Sequence, residues 1–218
     1  KPLSAMVSDP MLGAAVRNSA IEALGMIGDS NGCAALVNAL SERELHTNGV
    51  AALVHIGHYN PILDGCRNPN PLVRRGCLSA LGRLGDSLVI EQVGRCVDDP
   101  DTTVRVHAHE ALGRIGHNAA LPFLARGLDD QETHVRHTAL QQIGQFEGDR
   151  AIPLVIQAAN DRSPTVRRLS VELLARFPDA RVVPILVDRM EDDDLEVCEA
   201  AKRSLDRLES LVGGGGLD

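Results

Sequence analysis

The chain has 218 residues, 44% of them apolar and only 2% aromatic, so a core must be filled by small aliphatic side chains, which favours helices lying close together. A formal charge of -8 and a pI near 5.5 argue against sequence-independent nucleic-acid binding, which needs many Lys and Arg to displace counterions. Charge is too well mixed with apolar residues for a disordered chain, and no apolar run approaches the ~20 residues of a membrane span.

From the N-terminus onward the dominant signal is a repeat. Copies begin at Val16, Leu45, Val73, Val104, Val135, Val166 and Val197, spaced by 29, 28, 31, 31, 31 and 31 residues. The copies at Val16, Val73 and Val104 (VRNSAIEALGMIG, VRRGCLSALGRLG, VRVHAHEALGRIG) align without a gap. Counting the Val as zero, apolar or small residues recur at +4, +7, +8 and +11, as in Val104, Ala108, Ala111, Leu112 and Ile115, the stripe of an amphipathic helix. Gly28, Gly57, Gly85 and Gly116 follow the last apolar residue, where a helix ends on a left-handed residue. Polar turns such as Asp98-Asp99-Pro100-Asp101 precede each Val and supply N-caps. A shorter amphipathic segment, such as residues 120–128 with Pro122 in its first turn, lies before each turn. Each unit therefore reads as a helical hairpin that cannot bury its apolar faces alone and must stack on the next.

The first hairpin has only about eight residues before its Asp9-Pro10 turn, so its first helix is expected to be stunted or missing. The last copy carries Cys198 in place of the Arg, and Asp206 and Glu209 on what should be the wet outer face of a capping helix. Residues 1–212 are expected to form a single solenoid, and the Gly-rich residues 213–218 a flexible tail. At D-x-x-x-x-V-R and A-L-G-x-I-G-D the sequence resembles the HEAT-like repeats first associated with phycobilisome lyases, from about residue 3 to 211. The resemblance implies an all-α, right-handed α-solenoid of about seven HEAT-like hairpins; it does not imply one activity, because the family spans lyase subunits, a hydroxylase and scaffolds.

Two arginine columns stand out. Arg17, Arg74, Arg105, Arg136 and Arg167 directly follow the Val, and Asn68, Asp99, Asp130 and Asp161 lie six residues before the last four of them. A structural ladder of Arg74, Arg105, Arg136 and Arg167 with Asp99, Asp130 and Asp161, bridging one repeat to the next, accounts for this column without a ligand. The second column is at +10: Met26, His55, Arg83, Arg114, Gln145, Arg176 and Arg207. With the flanking +2 and +6 positions it should line a concave surface. The candidate binding residues are Arg75, Arg83, Arg114, Arg168, Arg176, His55 and His137, facing a partner protein or peptide with an acidic or polar segment. Glu110 to Arg114 and Glu172 to Arg176 have the i,i+4 spacing of helix-surface pairs, whereas Arg75, Arg83 and Arg168 have no such local partner.

No metal or other cofactor is expected. The family's deoxyhypusine hydroxylase uses His-Glu pairs directly after the Val-Arg, and none falls there; His109-Glu110 lies three residues too late. Equivalent histidines in adjacent repeats, such as those at loop positions, would lie roughly 10 Å apart, too far for one ion. Five cysteines (Cys33, Cys66, Cys77, Cys96, Cys198), an odd number with no C-x-x-C, read as reduced thiols of a cytoplasmic protein. No catalytic residue is assigned, and neither a membrane nor a nucleic acid is an expected partner. The expected function is a non-catalytic interaction scaffold or adaptor; the alternative is a bilin lyase subunit or chromophore-handling protein, implied by the repeat resemblance, in which arginines would clamp tetrapyrrole propionates.

Overall fold

The computed structural model of the chain describes residues 2–213. They form helices joined by turns, with no strand among the described residues. The helices alternate short and long: α1 (Leu3–Val7), α2 (Ala14–Ile27), α3 (Cys33–Ala39), α4 (Arg43–Ile56), α5 (Tyr59–Gly65), α6 (Pro71–Leu84), α7 (Ile90–Gly94), α8 (Thr102–Ile115), α9 (Leu121–Gly127), α10 (Thr133–Ile143), α11 (Ile152–Ala158), α12 (Pro164–Leu174), α13 (Val182–Arg189) and α14 (Leu195–Gly213). Each odd and even pair is one hairpin. The chain divides into two compact units, Lys1–Ala120 and Leu121–Asp218, holding the first four and the last three hairpins. None of the described helices is long and apolar enough to cross a membrane.

The long helices begin two residues before the repeat's Val or Leu. Asn70 and Asp101 show why: each caps its helix from the turn, Asn70 accepting from the Leu72 N–H at 2.9 Å and Asp101 from those of Thr103 and Val104 at 2.9 and 3.1 Å. Val73 and Val104 are thereby held at the third helical position, fully inside the fold. At the other end Gly28, Gly57, Gly85 and Gly116 close α2, α4, α6 and α8 with φ of 73, 68, 70 and 66°. The next two long helices end differently. Gly144 and Ala175 close α10 and α12 in right-handed geometry, and Phe146 and Phe177 fold back into the core just beyond.

Within the first unit α2 packs on α4, α4 on α6 and α6 on α8; within the second, α10 packs on α12 and α12 on α14. The buried stripe includes Val104, Ala108, Ala111 and Leu112. Ile115 is only half-buried and Ile27 is 67% exposed, so in the first unit the +11 position is not core as expected, whereas Phe146, Phe177 and Leu208 at +11 in the second unit are buried. The reason is length: a first helix of 5 to 7 residues covers about half the rise of its 14-residue partner, leaving the last turn uncovered. The short first helix expected at the N-terminus is α1, of five residues. At the C-terminus Val197, Ala200, Ala201 and Leu208 are buried on one side of α14 while Lys202, Arg203, Asp206 and Arg207 are exposed on the other. Of the expected Gly-rich tail, Gly213 ends α14 and residues 214–218 lie outside the described residues.

Candidate functional site

The residue after the repeat's Val or Leu points back at its own turn in every copy. The Nη1 groups of Arg74, Arg105, Arg136 and Arg167 donate to the carbonyls of Asn68, Asp99, Asp130 and Asp161, six residues earlier, at 2.9 to 3.0 Å. In the first copy Arg17 Nε donates to the Val7 carbonyl at 2.7 Å. Cys198, which replaces the Arg in the last copy, keeps this contact with its thiol, 3.0 Å from the Asp192 carbonyl.

The carboxylate partner lies in the opposite sequence direction. Arg17 reaches Glu42, Arg74 reaches Asp99, Arg136 reaches Asp161 and Arg167 reaches Asp192, each 25 residues downstream and each through two N–H donors. The residue six positions upstream contributes its backbone carbonyl, and its side chain serves the preceding hairpin's arginine or the turn itself. The carboxylates also hold their own turns: Asp99, Asp161 and Asp192 each accept the backbone N–H two residues on, at 2.7 to 3.0 Å. The Arg136 guanidinium helps hold the Asp161 carboxyl below its ordinary value against the opposing, larger effect of burial, and Asp192 is likewise held down, to about 2, by Arg167 and the turn amide despite its burial.

The +10 column is the reverse. Met26, His55, Arg83, Arg114, Gln145, Arg176 and Arg207 are all exposed. In the first unit His55, Arg83 and Arg114 stand on the consecutive helices α4, α6 and α8, and Arg75 stands half-buried at the start of α6. Arg75, Arg83 and Arg114 have no ion-pair or hydrogen-bond partner among the described residues, so the spacing of Glu110 and Arg114 does not produce a pair. In the second unit the expectation for Arg168 is corrected: it pairs with Glu172 at 3.4 Å and Glu196 at 3.7 Å. Glu172 thus serves Arg168 and leaves Arg176, which donates instead to the Gly144 carbonyl at 2.8 Å. His137 is half-buried, and its imidazole is held below its ordinary value by burial first, then by His134 and Arg168.

Three further features escaped the sequence reading. A pocket of about 400 Å³ in the second unit is lined by Phe146, Ile152, Phe177 and Pro178 together with Asp149 and Arg176. It forms where α10 and α12 lack the left-handed glycine ending, and two of the chain's three Phe flag it. The Cys66, Cys77 and Cys96 thiols meet between neighbouring hairpins, and hydrogen bonding with Cys77 holds the Cys66 proton well above the usual thiol range. A second cavity, of about 370 Å³, is lined by Arg43, His46, Thr47, Leu72 and Arg75. Its sequence signal is a broken rung, with His46 where other copies carry Arg. No cluster of three or more metal-ligand side chains among the described residues could hold an ion.

A family model described as HEAT repeats matches residues 59–137 and 126–206, and one described as PBS lyase HEAT-like repeat matches residues 16–42. A comparison with curated proteins returns no match. Among solved structures, an engineered protein is similar with a TM-score of 0.56 at 16% identity, covering 96% of this chain and 97% of the other. A designed armadillo repeat protein in complex with the peptide (KR)4 is similar at a TM-score of 0.55 and 15% identity, covering 94% and 98%. The complex of CpcE and CpcF of phycocyanin lyase from Nostoc sp. matches at a TM-score of 0.49 and 17% identity, covering 94% and 93%. At these identities the likeness is one of fold.

Proposed function

The chain belongs to the HEAT repeat family, and from that premise we propose that it is a non-catalytic interaction scaffold whose long-helix face holds an acidic segment of a partner protein. The observation that carries this reading is the contrast between the two arginine columns. One column is consumed internally: Arg74, Arg136 and Arg167 are each bonded to a turn carbonyl and to a carboxylate. The other presents Arg75, Arg83 and Arg114 on helices α6 and α8 with no partner among the described residues, in a protein whose formal charge is -8. Cations kept apart from an excess of acids leave a local positive face that steers and orients an acidic segment. Extended helical faces of repeat proteins serve this kind of binding, and the similar designed armadillo protein holds a peptide, a basic one. Here the arginines call for the opposite charge.

The chromophore-handling alternative has less support. No long helix carries Phe, Tyr or Trp, so the arginine-bearing face offers no ring to stack on a conjugated tetrapyrrole.

The test is to identify the bound protein from cells of the source organism by mass spectrometry and then measure its affinity with purified components. Arg83→Glu with Arg114→Glu should weaken binding at least tenfold, and the segment protected on the partner should be net acidic. Unchanged affinity, or a net basic segment, overturns the reading.

A further inference from the structure

The ladder is interrupted at one place. At the rung between α4 and α6, His46 stands in the column that carries Arg in every other copy but the last, and Asn68 stands where the later turns carry Asp99, Asp130, Asp161 and Asp192. His46 Nδ1 lies 2.9 Å from the Leu40 carbonyl, which can only accept, so Nδ1 carries a proton and the turn contact of the other rungs is preserved. No hydrogen bond or ion pair carries His46 on to the next turn among the described residues. The ring lies against Gly76, where a Cβ would sit 2.9 Å from Cε1 and 3.3 Å from Nε2.

Where the other junctions have a guanidinium and a carboxylate, this one has the cavity of about 370 Å³ lined by Arg43, His46, Thr47, Leu72 and Arg75. No carboxylate lines it. Arg43 and Arg75 have no ion-pair or hydrogen-bond partner among the described residues. One helix further on, the His107 imidazole is held below its ordinary value by burial, and the charges of Arg75 and His46 press the same way against Glu110 and the Thr103 carbonyl.

We propose that this cavity binds a phosphate monoester, carried as phosphoserine or phosphothreonine on the partner segment; the proposal rests on the docking reading above, since Arg75 belongs to the same face. The chemistry favours phosphate over carboxylate. Two guanidinium groups can each take a pair of oxygens, and the Thr47 hydroxyl adds a single donor. A carboxylate has one charge and two oxygens, enough for one guanidinium. A phosphate monoester brings nearly two charges and three acceptor oxygens, matching the two arginines plus the Thr47 hydroxyl. The cavity lies within the volume range of small-ligand sites, ~300 to 1,000 Å³.

The experiment is an amide NMR titration of the full chain with N-acetyl-phosphoserine methylamide, compared with N-acetyl-glutamate methylamide and inorganic phosphate. The expected result is shifts centred on residues 43–47 and 72–76, and a dissociation constant at least tenfold lower for the phosphoserine amide than for the glutamate amide. Arg75→Gln and, separately, Arg43→Gln should each raise it at least fivefold with an otherwise wild-type spectrum, while Arg83→Gln leaves it within twofold. Equal affinity for the glutamate amide, scattered shifts, or wild-type binding by both cavity variants overturns the proposal. Tighter binding of inorganic phosphate than of the phosphoserine amide overturns the partner-borne source. Loss of partner binding in the Arg83 and Arg114 double variant is independent of this cavity, so failure here with that loss intact sinks the phosphate site and leaves the docking reading standing.

Discussion

Arg136 and Asp161 are joined by two parallel hydrogen bonds, Nε to Oδ2 at 2.7 Å and Nη2 to Oδ1 at 2.9 Å, with side chains only 3% and 8% exposed. The third guanidinium nitrogen, Nη1, donates to the Asp130 carbonyl at 3.0 Å, so one arginine fastens its own turn to the next one. Removing one partner strands the other as a poorly satisfied buried charge. Asp161→Ala should therefore destabilise the protein by about 3 kcal/mol, read as a lower urea midpoint. Arg136→Met with Asp161→Leu should cost markedly less than the sum of the single variants. A double variant as unstable as that sum would show that the pair has no coupling.

Gly82 on α6 faces Ala111 on α8, and a Cβ there would lie 2.8 Å from the Ala111 Cα, a backbone atom that cannot step aside. Gly82→Ala should destabilise by about 1 to 3 kcal/mol through forced separation of the two helices, although Ala is the better helix former by about 1 kcal/mol. A raised melting temperature would mean that α6 and α8 do not approach this closely.

Ala108 on α8 is fully buried, with 0% exposure. Ala108→Glu places an unpaired carboxylate in the core, and it should melt at least 10 °C below wild type or fail to fold. An unaltered melting temperature would contradict the assignment of this helix face to the interior.

His107 in the first unit and His137 in the second are both held below the ordinary imidazole value of 6.5, chiefly by burial. A histidine with a depressed folded pKa binds fewer protons folded than unfolded in the window below 6.5, so its burial is harmless above that pH and destabilising below it. The urea midpoint should fall between about pH 7 and pH 5, and His107→Gln or His137→Gln should each reduce that fall. The lowered carboxyls, such as Asp161, stabilise the fold throughout this window and lose that contribution only as the pH falls below their ordinary 3.8. A flat profile over the upper window in the wild-type protein would refute the burial of both imidazoles.

The +10 column was legible as a column, and its pairing differs in detail. Exposure of Arg83 and Arg114 follows from helical periodicity alone, because +10 falls outside the buried stripe, about 100° round the helix from its centre. Pairing does not follow from spacing: Glu172 could reach an arginine four residues to either side, and it is Arg168 that it holds. Glu110 lies four residues before Arg114 and does not engage it among the described residues. The cavity at Arg43 and Arg75 was missed because its signal is a substitution in the ladder, meaningful only once the intact rungs are known.

The amino-acid order alone determined the hairpin unit, its seven starts, the glycine helix ends and the buried stripe, because all of these depend on periods of 3.6 and about 31 residues that act within one module. Only the tertiary structure decided which carboxylate answers which guanidinium, 25 residues downstream instead of six upstream, and where a rung is missing. Contacts between modules depend on how one hairpin settles on the next, and that distance and angle are written in the packing of many small side chains, in no single motif.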